Sequence, residues 1–87
     1  MKDSTSITDE KMLSIYKTIG ENVKRIRKEK NISQMQLSLA IGHKAVGTVS
    51  MGELCINNKH FNIEHLVKIA DVLEVDLTDF FHDVNLK

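Results

Sequence analysis

The stretch Ile32-Ser33-Gln34-Met35-Gln36-Leu37-Ser38-Leu39-Ala40-Ile41-Gly42 decides how the rest of this sequence is read. Ser33 is a residue whose hydroxyl accepts a backbone N–H at a helix start, and Gln36, three residues on, can return a bond to it. Met35, Leu37, Leu39, Ala40 and Ile41 supply apolar groups, and Gly42 ends the run. The spacing predicts one short helix between Ser33 and Gly42. Upstream, Thr8 followed by Asp9 and Glu10 is a second helix start. Met12, Tyr16, Ile19, Val23 and Ile26 then recur at spacings of 4, 3, 4 and 3. That stripe predicts a long helix from about Asp9 to Lys30, with Gly20 as a point where a bend is permitted and Asn31 as its C-cap. Downstream, a third short helix is expected from about Ala45 to Leu54. Val46, Gly47, Thr48, Val49 and Gly52 are poor helix formers, so tertiary contacts must hold it. Asn57-Asn58-Lys59-His60 reads as a loop. Asn62 caps a fourth helix carrying Ile63, Leu66, Val67, Ile69, Ala70 and Leu73. Asp76 caps a fifth, with Leu77, Phe80 and Phe81. The fold class expected is all-α.

Eighty-seven residues make one domain. Residues 1–8 are expected as a flexible lead, 9–82 as the domain and 83–87 as a tail. Aromatic residues are only 5% of the chain, so the core must be aliphatic. Cys55 is the only cysteine, which excludes an intramolecular disulfide scaffold; it reads as a small buried apolar group. His43, His60, His65 and His82 form no i,i+4 pair on an expected helix, so neither a metal site nor a cofactor is expected. His60 and His65 read as capping or surface residues. Met1 to Ser6 is not followed by an apolar run and does not read as a signal peptide. No stretch approaches the roughly 18 apolar residues of a membrane span. The expected location is the cytoplasm, with no membrane partner and no second domain for a small-molecule effector.

Formal net charge is zero, but its distribution is not even. Residues 20–60 hold seven Lys or Arg against three acids, and residues 61–87 hold two against six. A basic middle and an acidic end fit a chain that offers one face to phosphates and another to something else.

The run Ile19-Gly20-x-x-Val23-x-x-Ile26-Arg27, then Ile32-Ser33-Gln34-x-x-Leu37-x-x-x-x-Gly42, resembles the Cro/phage-repressor (XRE-type) family of helix-turn-helix transcriptional regulators. Val49-Ser50-x-x-Glu53 continues the likeness. So does Ile63-x-x-Leu66-x-x-Ile69-Ala70-x-x-Leu73-x-Val75-x-Leu77-x-x-Phe80-Phe81. The resemblance implies a five-helix lambda-repressor-like DNA-binding domain, here with an N-terminally extended first helix. It implies that the second helix crosses the DNA backbone while the third, around Ala45 to Leu54, enters the major groove. Gln34 matches a family glutamine that contacts a phosphate and steadies the reading helix, beside Ser33 at the helix start. Arg27 and Glu53 match a structural pair tying the first helix to the end of the third.

The sequence departs from the family pattern around its third helix. The stretch from Gly42 to Val49 is one residue long, and Val46, Gly47 and Met51 stand where long polar base readers are usual. Gly52 replaces an isoleucine, Leu54-Cys55 replaces an arginine-glycine pair, and the loop that follows is about two residues longer. Direct readout is therefore thin. Lys44, Thr48 and Ser50 are the hydrogen-bonding groups expected near the groove, Ala45 and Val46 can touch thymine methyls, and Asn58 and Lys59, with Asn57, are expected against the backbone.

A single motif of this kind reads few base pairs, so the resemblance implies a homodimer. Phe80 and Phe81 point about 100° apart on a helix; one is expected in the core and the other, with Val84 and Leu86, at a partner surface. The Met12–Tyr16 end of the first helix is a second candidate. The function expected is sequence-specific binding of double-stranded DNA by a repressor-type regulator. The alternative is a protein-interaction module on the same fold, an antitoxin or anti-repressor. No nucleophile–base arrangement, phosphate loop or acid pair points to an enzyme.

Overall fold

Thr8 opens the first helix. In the computed structural model, which describes residues 1–42 and 47–85, its hydroxyl accepts the Lys11 N–H at 3.1 Å. Asp9 and Glu10 sit in the first turn, against the positive end of the dipole. Helix α1 (Asp9–Glu29) then runs unbroken through Gly20. Its C-cap is Lys30, not Asn31; Asn31 takes the left-handed position one residue later, with φ 58°.

Helix α2 (Gln34–Ala40) starts on the capping box that its sequence announces. Ser33 Oγ accepts the Gln36 N–H at 3.0 Å, and Gln36 Oε1 accepts the Ser33 N–H at 2.8 Å. Gly42, at φ +85°, ends the turn that follows. Leu37 and Ile41 are buried, whereas Met35 and Leu39 face outward. Helix α3 is described as Gly47–Leu54; the expected start at Ala45 lies outside the described residues. Helix α4 (Ile63–Leu73) begins on a capping box between Asn62 and His65. The expected fifth helix is instead a 3-10 segment, Leu77–Phe81, and Asp76 makes no side-chain cap bond to it. Asn22 on α1 is buried and its amide donates to the carbonyls of Phe80 and His82, at 2.9 and 2.8 Å, which anchors the end of this segment to α1. A second 3-10 turn, Ile56–Asn58, links α3 to α4, closed by Lys59 N–H to Ile56 O at 2.9 Å. Cys55, Asn57 and Asn58 lie in the left-handed region around it, which Asn tolerates.

Among the described residues the structure is four α-helices and two 3-10 segments, with no strand. The core gathers Ile19, Val23 and Ile26 of α1, Leu37 and Ile41, Val49, Phe61, the inner face of α4 and Phe80. Gly20 is not a bend. A Cβ there would lie 2.6 Å from the carbonyl oxygens of Gly52 and Glu53, so the glycine lets α1 touch the backbone of α3. Gly52 is the reciprocal case, because the Phe61 ring fills the space its side chain would need. Those contacts are what hold the poor helix former α3 in place. No described helix is long and apolar enough to cross a membrane.

Candidate nucleic-acid interface

The site is built outward from one buried carboxylate. Glu53, near the end of α3, is 2% exposed. Its Oε2 accepts Arg27 Nε at 2.7 Å and its Oε1 accepts Arg27 Nη2 at 3.1 Å. Oε1 also accepts Gln34 Nε2 at 3.0 Å. Arg27 Nη1 donates to the Ile32 carbonyl at 2.8 Å. One network therefore ties the end of α1, the start of α2 and the end of α3. The expected Arg27–Glu53 pair is present, and a two-point fork of this kind fixes direction as well as distance. Gln34 is half-buried and its amide is turned to Glu53 of α3. Ser33 is exposed, with its hydroxyl occupied in the cap.

On the other side of α3 the chain forms a concavity of about 350 Å³, lined by Gly47, Thr48, Met51, Gly52, Lys59, His60 and His65. It brings together the expected Thr48 and Lys59. Ser50 is half-buried and is not among the lining residues. Asn58 falls in a neighbouring concavity with Met12, Leu13, Tyr16 and Cys55. Lys44, Ala45 and Val46 lie outside the described residues.

Sequence reasoning missed Met51, His60 and His65 as lining groups. The His60 ring stacks on Tyr16, centroids 3.6 Å apart and planes 7° apart, and its Nδ1–H donates to the Phe61 carbonyl at 3.1 Å. His65 Nδ1 accepts the Asn62 N–H at 3.2 Å, so the neutral ring carries its proton on Nε2. The only available signal was His65's position three residues after Asn62, which is the capping-box spacing.

The electrostatics of this concavity follow from which charges turn inward. Glu53 is the one acid of α3, and it is buried on Arg27; no carboxylate lines the concavity among the described residues. The basic middle of the sequence is nevertheless not one face. Arg27 is consumed by Glu53 and Arg25 bridges Glu29 at 3.2 Å. Arg25 and Lys30 line a different concavity, together with Asp79 and His82. Charges counted along the chain thus overstate the positive field beside α3, because 3.6-residue periodicity distributes them around α1.

The expected partner surface also changes. Phe80 is fully buried, so it is the residue that plugs the core and it contacts no partner. Phe81 is exposed, Val84 is half-buried against the core, and Leu86 lies outside the described residues. Cys55 is buried, and burial pushes its thiol above the ordinary range. No group of histidine, cysteine and acidic residues suited to a metal ion occurs among the described residues. No family model, curated protein or solved structure matches this chain.

Proposed function

We propose that this protein is a cytoplasmic, repressor-type transcriptional regulator that binds double-stranded DNA in a sequence-specific manner as a homodimer. In this reading its helices follow the five-helix phage-repressor arrangement, with α1 extended at its start and the 3-10 segment Leu77–Phe81 in the place of the fifth helix. Helix α3 enters the major groove and α2 crosses the backbone. The observation that carries the reading is the outer side of α3. It opens on a concavity holding Lys59, His60 and His65 and no carboxylate among the described residues, while the one acid of the helix is buried on Arg27.

The chemistry follows from the residue types. Lys59 meets a phosphate and contributes salt-sensitive, sequence-independent affinity. Thr48 and the thioether of Met51, which is 38% exposed, stand toward base edges, where an apolar group discriminates the thymine methyl. Lys44, Ala45 and Val46 belong to the same proposed contact. With few long polar readers, much of the selectivity rests on DNA shape.

Selection from a random duplex pool tests this directly. The expected product is a palindrome with half-sites about 10 base pairs apart. Affinity for the selected duplex should fall steeply with salt, and Lys59→Ala, which removes one cation from each protomer, should reduce the slope of log K against log salt by about 1.8. Absence of binding at low salt overturns the proposal and favours an interaction module on the same fold.

A further inference from the structure

The first ten residues of α1, Asp9 to Thr18, bury no side chain; the first buried residue of the helix is Ile19. Ile15 packs partly buried against the core, so at 1.5 Å per residue about 9 Å of helix, Asp9 to Ser14, reaches past it. It is nonetheless well defined, capped by Thr8 and pinned by the Tyr16–His60 stack. Its outer face is apolar at the centre. Leu13 is 36% exposed and shares a concavity with Cys55. On either side of Cys55 in the chain stand Leu54 and Ile56, 50% and 41% exposed.

The charges around Leu13 run in a self-complementary order. Asp9 and Glu10 precede it by about one turn and Lys17 follows it by one turn. At 100° per residue all four fall within an arc of about 100°. Among the described residues, none of these three charges is ion-paired within the chain. Laid antiparallel across a two-fold axis at Leu13, two such helices place the acids of each against Lys17 of the other and Leu13 against its own copy. The same face thereby serves both partners, as a closed two-fold contact requires.

We propose that this half of α1, centred on Leu13, is the surface through which a second copy of this chain docks. The inference rests on the homodimer in the reading above and not on DNA contact. It also takes up the role that buried Phe80 and half-buried Val84 do not fill.

Sedimentation velocity over a concentration series, without DNA, tests it. The wild-type chain should associate reversibly to a dimer. Lys17→Glu should weaken association roughly tenfold, since symmetry makes each change count twice. The paired variant Asp9→Lys/Glu10→Lys should do the same. An equimolar mixture of the two variants should recover dimer, because each Lys then faces a Glu across the heterodimer. Circular dichroism confirms that each variant remains helical. A wild-type chain that stays monomeric overturns the proposal. So does a wild-type dimer whose variants associate unchanged, or whose mixture associates no better than either variant alone. Because no DNA is present, failure of the DNA reading would leave these results standing.

Discussion

Glu53→Ala removes the acceptor of three hydrogen bonds and leaves the Arg27 guanidinium without a counter-charge. The Arg27 and Glu53 side chains are only 7% and 0% exposed, so water cannot take the carboxylate's place without opening the junction of α1 and α3. The Ile32 carbonyl still accepts one N–H, but one neutral acceptor does not offset a buried charge. Breaking a pair buried to this degree costs about 3–5 kcal/mol. A domain of this length has roughly 4–13 kcal/mol in total, at about 0.05–0.15 kcal/mol per residue. The variant should therefore melt at least about 12 °C lower by far-UV circular dichroism, at about 4–8 °C per kcal/mol. Its urea midpoint should fall with the slope unchanged. Arg27→Met combined with Glu53→Leu should regain most of the loss, since the main cost is the stranded charge and not the missing attraction. A Glu53→Ala chain within about 1 kcal/mol of wild type would refute the reasoning, as would a double variant no more stable than the single one.

Gly52→Ala should cost about 1–3 kcal/mol in urea titration, because the new methyl would run into the Phe61 ring and that ring is itself buried; an unchanged midpoint would show that the ring has room to retreat. Phe80→Ala should cost about 3–5 kcal/mol. Phe81→Ala should stay under about 1 kcal/mol, although the two residues are adjacent, and equal effects would contradict their opposite burial. Cys55 should react with iodoacetamide more slowly in the folded chain than in urea at the same pH, because burial lifts its thiol and the thiolate is the nucleophile. Equal rates would place it at the surface.

Much of the helical skeleton was legible because its signals are local. Thr8, Ser33 with Gln36, and Asn62 each cap through bonds reaching three residues, so sequence spacing is the geometry. Features that depend on distant partners were not legible. Gly20 looked like a bend until the carbonyls of Gly52 and Glu53 were seen against it. The 3-10 segment Leu77–Phe81 is anchored at its end by Asn22, 58 residues away in the chain, a contact with no local signal. Gly52 becomes intelligible once the Phe61 ring is found in the volume that a side chain there would need. At the candidate site, Lys59 and Thr48 line one concavity, and of the two histidines beside them only His65 carries a local signal, its capping-box spacing from Asn62.

The three-way grip on Glu53 acts at the carboxyl end of α3. The six residue steps from Glu53 to Gly47, at 1.5 Å each, make a lever of about 9 Å. A tilt of about 6° at the clamp swings the far tip by roughly 1 Å, which is the difference between a sound hydrogen bond and none. On the DNA-binding reading proposed above, substitutions at Arg27, Gln34 or Glu53 that leave the fold standing would thus blunt recognition from a distance, as loss of aim rather than loss of contact.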